Sequence, residues 1–143
     1  MKGSRLGRLG AVIAVRELRT GGRGAVIVKF WAPRKAAQNG YWESPYQVVG
    51  LGGNKIECSP GEDGVQALLL AMQAVRKKLH ESGKRFSWIG GEPGDNGFPY
   101  IIPALFGPKF SRHLESLVER EIDRFALNIE RTRRKTKRSQ RAR

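Results

Sequence analysis

The stretch 64-GVQALLLAMQAVRKKLHESG-83 predicts one amphipathic helix, because its apolar residues recur at alternating intervals of three and four. The apolar residues of this repeat are Val65, Leu68, Met72, Val75 and Leu79. Two starts are open: a cap at Ser59, followed by Pro60 and Glu62, or a cap at Asp63. Gly83 suits the left-handed conformation in which helices often end. We therefore expect one helix that packs all five apolar residues against the rest of its domain.

Residues 9–58, which precede this helix, have the pattern of an antiparallel sheet. Residues 9–19 and 24–32 are rich in Val and Ile, and the Gly-rich loop 20-TGGRG-24 between them has the length of a hairpin turn. In the second run Lys29 falls on the opposite face from the apolar residues, as in a half-buried strand. Those apolar residues are Val26, Val28 and Phe30.

Two further strands are predicted before the helix. In 41-YWESPYQVVG-50 the side chains of Trp42, Tyr46 and Val48 share one face, while Pro45 favours an edge position or a bulge. A short fourth strand is expected around Lys55–Cys58.

The sequence after the first helix changes character twice. Residues 86–110 are rich in proline, glycine and aromatic residues, which indicates an irregular segment that packs over the body rather than a solvated linker. From Ser111 the helical period returns and continues to Ile129. Glu130 precedes Arg134 by four residues, the favoured order for a helical ion pair, so this second helix is expected to continue into the basic tail.

These patterns together predict an α+β fold: an antiparallel sheet of about four strands, one packed helix, an irregular aromatic-rich wrap, and a C-terminal helix with a basic tail. Residues 1–130 are interpreted as a single domain, and residues 131–143 as a basic C-terminal arm. A chain of 143 residues with 39% apolar content is long enough for one such domain and its core.

Several phrases of the sequence are familiar in combination and in this order. They are 15-VREL-18, 32-APR-34, 41-YWESPYQVVGLG-52, 64-GVQALLLAMQAV-75 and 88-WIGGEPGDNGFP-99. Together they resemble a family of small bacterial proteins known only as a domain of unknown function, over roughly residues 11–99. The resemblance implies a strand-rich start and a single helix. It assigns no catalytic residue.

The net charge of +14 is concentrated at the two ends of the chain. Residues 1–35 carry nine basic residues and one acidic residue, residues 131–143 carry eight basic residues and none acidic, and the middle of the chain is nearly neutral. If the two ends lie near each other, they form one basic face that would attract a polyanion.

The residues that usually carry catalysis or bind metals are sparse. With one cysteine and two histidines, His80 and His113, the chain lacks the paired spacing of a structural zinc site. Cys58 is interpreted as a core residue at a strand end rather than a nucleophile. Glu92 and Asp95 in 90-GGEPGDNG-97 suit a turn better than a cation site. We therefore expect no catalytic residues, no metal and no cofactor.

The sequence favours a cytoplasmic protein. A single cysteine cannot close an internal disulfide, and the apolar run 9-LGAVIAV-15 is better read as a strand than as a signal peptide. No run approaches the length of a membrane span, so no membrane association is expected.

Three classes of function remain: two that are non-enzymatic and, in last place because no nucleophile–base pair or metal set is visible, an enzyme. The first is a module that binds nucleic acid through phosphate contacts, without sequence preference. The alternative is a protein–protein adaptor or immunity-type protein with an acidic partner. The predicted nucleic-acid-binding residues are Arg131, Arg133, Arg134, Lys135, Lys137, Arg138, Arg141 and Arg143. A homo-oligomer formed through the helix at residues 111–129 is a further expectation, because that helix carries an apolar stripe.

Overall fold

A computed structural model describes residues 9–102 and 106–141 of the chain. The chain divides into two compact units, one ending at Ile101 and the other beginning at Ile102. None of the described helices combines the length and the apolar character needed to cross a membrane.

The first unit is an antiparallel sheet with one helix. Its elements are β1 (Val12–Thr20), β2 (Ala25–Trp31), β3 (Arg34–Lys35), β4 (Trp42–Val49), β5 (Ile56–Gly61), α1 (Gly64–Glu81) and β6 (Phe86–Trp88). The second unit contains the helix α2 (Gly107–Arg141). The α+β class is therefore confirmed, with two short strands, β3 and β6, beyond the four that the sequence predicts.

The strand order places β4 and β2 at the centre of the sheet. β2 pairs with β1 on one side and β4 on the other, and β6 pairs with the last residues of β1. β5 pairs with β4 on the side opposite β2. The pairing of β4 passes from β2 at Tyr46 to β3 at Glu43, and Pro45 lies in the interval between them. Pro45 thus lies at an irregularity of an inner strand, where a missing N–H is tolerated.

The core lies between one face of the sheet and α1. The sheet contributes alternate residues of β1, β2 and β4, while Phe86 and Phe98 close the core at the β6 end. The buried sheet residues are Leu18, Val26, Val28, Phe30, Tyr46 and Val48.

The predicted hairpin loop at residues 20–24 joins β1 to β2, and Thr20 donates its backbone N–H to the carbonyl of Gly24 (3.2 Å).

Helix α1 begins at the second of its two predicted starts. Asp63 is the cap, and its side chain accepts a hydrogen bond from the Gln66 backbone N–H (2.8 Å). Ser59 and Pro60, the alternative start, belong to β5 instead. The helix ends at Glu81, and Gly83 has the expected left-handed conformation, with φ of 68°.

The buried face of α1 differs from the predicted one. Val75 and Leu79 are buried and Leu68 and Met72 are partly buried, but Val65 is 70% exposed. In its place Ala67 and Ala71 are buried. The face that packs on the sheet therefore follows the i, i+4 series from Ala67 to Leu79, and the prediction for Val65 is wrong.

The segment after α1 is only partly the irregular wrap that the sequence predicts. Phe86 and Phe98 anchor it in the core of the first unit, but its first residues form β6. Its last residues belong to the second unit, where α2 begins at Gly107, earlier than the predicted Ser111. Pro108 is compatible with this start, since a first-turn proline loses no helical hydrogen bond.

Candidate nucleic-acid interface on helix α2

Helix α2 carries the basic arm, defined here as residues 131–143, as a direct continuation of the predicted C-terminal helix. Its 35 residues form one helix from Gly107 to Arg141 with no break at residue 130, which corresponds to a length of about 50 Å. The hydroxyls of Thr132 and Thr136 donate to the carbonyls of Asn128 (3.0 Å) and Thr132 (3.1 Å). The predicted domain boundary after residue 130 stays a prediction.

The predicted binding residues that the structure describes lie on a solvent-facing helical surface. Five of them are described and exposed: Arg131, Arg133, Arg134, Lys135 and Lys137. The backbones of Arg138 and Arg141 continue the helix, while their side chains lie outside the described part of the chain, as does all of Arg143.

The helical period places the basic residues of the arm on one side. At 3.6 residues per turn, the five described basic residues fall on a little more than half of the circumference. The remaining side is uncharged and is occupied by Thr132, Thr136 and Gln140. The arm therefore presents a basic face and a polar face rather than a uniformly charged surface.

Most of the described arm charges are available to a ligand. Arg134 forms an ion pair with Glu130 at 3.8 Å, as the sequence predicts, and is the one residue of 131–137 with an ion pair in the described structure. Both side chains are largely exposed, and an exposed helical pair of this kind contributes only about 0.3–0.5 kcal/mol. A phosphate could therefore compete for Arg134 at small cost.

Two basic residues near the N-terminus, unlike most of those in the arm, make contacts within the fold. Arg34 forms an ion pair with Glu43 at 2.7 Å between β3 and β4. The Arg16 guanidinium lies over the rings of Trp88 (5.3 Å) and Phe98 (4.7 Å). Lys2, Arg5 and Arg8 lie outside the described residues. The single basic face formed by both ends of the chain stays a prediction.

The turn that follows β6 is built around Trp88. Its indole N–H donates to the Asp95 carboxylate (3.0 Å), and the second carboxylate oxygen accepts from the Gly97 backbone N–H (2.7 Å). The hydrogen bond from Trp88, followed by the one from Gly97, is the main cause of the lowered pKa of Asp95. Both oxygens of Asp95 are thus engaged within the turn, as expected of turn chemistry.

Three arginines hold this turn through its backbone. Arg16 donates to the carbonyl of Asn96 (3.4 Å), Arg76 to that of Phe98 (2.6 Å) and Arg85 to that of Pro93 (3.2 Å). No group of three or more metal-ligating side chains occurs among the described residues. The turn is therefore accounted for by internal contacts.

Cys58 differs from its predicted position. It lies within β5, opposite Pro45, and is half-buried rather than part of the core cluster. Burial raises the pKa of its thiol, Glu43 raises it further, and Arg34 acts in the opposite direction. Since the thiolate is the nucleophilic form, this position disfavours nucleophilic chemistry. His80 and His113 are exposed on their helices.

Sequence reasoning missed a cluster that joins β4, β5 and α1. Lys78 forms an ion pair with Glu57, and the Lys78 ammonium lies 6.0 Å from the ring of Tyr46. Burial, followed by the charge and hydrogen bonding of Glu57, raises the pKa of Tyr46 to about 12. The three residues lie far apart in the sequence, so only tertiary packing reveals them. The cluster stabilises the neutral phenol.

Comparison with known proteins gives a family match to the first unit only. A family model described as a domain of unknown function, DUF6968, matches residues 14–100, well over half of the chain. The matched region runs from β1 through the Trp88 turn, and α2 with its basic arm lies beyond it. No curated protein and no solved structure matches the chain. The chain belongs to the DUF6968 family, the membership that the phrases between residues 15 and 99 predict.

Proposed function

We propose that this protein is a non-enzymatic module that binds nucleic acid through the basic arm of α2. The observation that carries the proposal is the one-sided arrangement of exposed Arg and Lys side chains on a continuous helix. Within the described arm these charges face no acidic residue other than Glu130. A helix of this kind is a preformed cation array, so little conformational entropy is lost when it meets a polyanion.

The composition of the arm suits phosphate groups in particular. Six of its eight basic residues are arginine, whose planar guanidinium can donate two parallel hydrogen bonds to one phosphate. Duplex DNA carries one negative charge per about 1.7 Å of helix axis. Residues 131–141 extend over about 16 Å as a helix, so several phosphates lie within reach at once.

Sequence preference should be slight. Contacts to phosphates fix the position of a protein on a duplex but do not distinguish bases. Gln140, a residue type that can read adenine, lies on the polar face of the arm and away from the basic face. The proposal is therefore a sequence-nonspecific interaction. We place this protein in the cytoplasm, where a lone thiol such as Cys58 stays reduced.

The proposal is tested by fluorescence anisotropy with labelled duplex and single-stranded oligonucleotides across a salt series. If about five phosphates are neutralised, the logarithm of the affinity for duplex DNA should fall with the logarithm of salt with a slope of roughly −4 to −5. Replacing Arg131, Arg133 and Lys135 together by Gln should flatten the slope by about 2 to 3.

A matched control separates the arm from net charge. Arg23, Lys55 and Lys84 are exposed basic residues of the first unit that form no ion pair within the described residues. Replacing these three by Gln removes the same charge and should leave the slope nearly unchanged. Equal losses from the two triple variants would show a diffuse charge effect and contradict the proposal.

An acidic protein partner is the alternative that the same basic face permits. Retention on a polyanion column would not separate the two, because both depend on charge. Titration with oligonucleotides separates the two. If neither duplex nor single-stranded oligonucleotides bind saturably at low salt, the acidic partner is favoured over nucleic acid.

A further inference from the structure

Helix α2 displays a continuous apolar stripe on its N-terminal two thirds. We define the apolar stripe as Leu114, Val118, Ile122, Phe125 and Ile129, which share one side of the helix by their spacing of three and four. Its centre is the most open part, with Ile122 61% and Phe125 68% exposed. Contiguous apolar surface of this kind is characteristic of an interaction site.

The uncharged side of the basic arm continues the same stripe. Thr132 and Thr136 follow Phe125 and Ile129 by seven residues, which is two helical turns. The ion-pairing residues Glu121 and Arg124, by contrast, lie beside the stripe or away from it. One side of α2 is therefore free of basic residues over the described length from Leu114 to Lys137, as close helix–helix packing requires.

We propose that the apolar stripe packs against the apolar stripe of a second copy of this chain, with the two α2 helices antiparallel. A parallel pair would place two basic arms side by side, each with eight basic residues and no acidic residue. Like charges at close range are destabilising. An antiparallel pair places the arms at opposite ends and removes that repulsion.

The spacing of the stripe selects one antiparallel register. With Ile122 opposite Phe125 of the second copy, Val118 falls opposite Ile129, so four apolar residues of each copy meet across a two-fold axis. Thr132 then falls opposite Glu115 of the second copy, where a hydroxyl can donate to a carboxylate. A register shifted by one heptad would pair Ile122 with Thr132 in one direction and Phe125 with Glu115 in the other, so fewer apolar residues would meet.

This arrangement leaves the basic face of each arm outward. The five described basic residues of the arm lie outside the polar face that continues the stripe. Self-association therefore covers apolar surface and does not consume the arm charges. The pairing is independent of nucleic-acid binding, and either proposal can fail without the other.

Sedimentation velocity of the nuclease-treated full-length chain tests the pairing. The protein should be a concentration-dependent dimer, and Ile122→Glu should be a monomer because it places a charge at the centre of the interface. Leu127→Glu is the matched control: Leu127 is exposed on the side away from the stripe, and the variant should dimerise like the parent. Ile122→Ala, which keeps strong helix propensity, should weaken dimerisation about tenfold or more.

The orientation is tested by disulfide formation in chains whose native thiol is removed by Cys58→Ser. Glu121→Cys and Asn128→Cys chains are mixed and oxidised; in the antiparallel register residue 121 of one copy neighbours residue 128 of the other, so the mixed disulfide should dominate. A monomeric parent protein at every concentration, equal dissociation by Leu127→Glu, or dominant disulfides between identical positions would each overturn the proposal.

Discussion

Trp88 is the residue around which the segment after α1 is organised. Its ring is covered by the Arg16 guanidinium, and its N–H is bound by Asp95. Gly97 lies so close that a Cβ there would be 2.6 Å from Arg16 Nη1 and 2.9 Å from Trp88 Cδ1, and its φ of 69° is left-handed. The Asp-Asn-Gly of this turn is therefore fixed both by backbone conformation and by contact with one indole ring.

The lowered pKa of Asp95 gives the turn a defined acid sensitivity. The folded-state pKa lies below the ordinary value of 3.8, with the Trp88 hydrogen bond as the largest cause. A carboxyl whose pKa is lower in the folded state contributes stability above its unfolded pKa and loses it as pH falls through the folded pKa. Asp95→Asn should therefore lower stability near neutral pH and flatten the loss of stability as the pH falls below about 4.

Chemical denaturation across that pH range, followed by Trp fluorescence, measures this effect. Glu92→Gln, in the same turn, is the control and should retain the pH dependence of the parent. A parent-like acid profile for Asp95→Asn would show that the carboxylate does not stabilise the turn through its charge.

At the scale of elements, one close approach in the first unit joins the end of β5 to the first turns of α1. A Cβ placed on Gly61 would lie 2.8 Å from the Ala67 Cα and 3.0 Å from its Cβ. Because Gly61 and Ala67 are both small, the backbones of β5 and α1 can come close together at this point. The buried face of α1 begins at this contact, with Ala67.

Gly61→Ala should consequently destabilise the protein by about 1–3 kcal/mol, the usual cost of overpacking a close contact. The change presses a methyl group against the Ala67 backbone, a clash that no side-chain rotation can relieve. Gly53→Ala is the matched control, because nothing lies within 4 Å of a Cβ at that position. Equilibrium urea unfolding measures both variants, and equal stability of the two would contradict the close-packing account.

The same contact explains which part of the fold could be predicted from the sequence. Apolar periodicity correctly located α1 and β1, β2, β4 and β5, because large side chains mark those faces. It assigned Val65 to the buried face and missed Ala67 and Ala71, since alanine carries little weight in a hydrophobic pattern. The two shortest strands, β3 and β6, have too few residues to show any period.

The candidate site was predictable in a different way. A run of arginines identifies the basic arm without any structure, and the Glu130–Arg134 pair predicts its helical state, which the structure confirms. The one-sided arrangement of the arm follows only once α2 is known to be continuous. The Tyr46–Glu57–Lys78 cluster was not predictable, because it depends on how α1 lies across β4 and β5.

At the scale of the whole molecule, the apolar core and the basic arm lie in different parts of the chain. Every residue of the core cluster in the described structure lies between Leu18 and Phe98. The family match ends at residue 100, close to the division between the two units. The basic arm, by contrast, lies wholly in the second unit.

This division predicts that residues 1–101 fold without the second unit. The truncated chain retains the whole described core, including Phe86 and Phe98, which are only 3% and 6% exposed. It should unfold cooperatively in circular dichroism, with a midpoint within a few degrees of the first unit in the full chain, because a shift of about 1 kcal/mol corresponds to roughly 4–8 °C. A shorter chain ending at residue 85 keeps α1 but loses both phenylalanines and β6, and it should lose cooperative unfolding, since each large apolar side chain removed costs about 3–5 kcal/mol. Loss of cooperative unfolding in the 1–101 chain as well would mean that the first unit depends on residues after Ile101 for its stability.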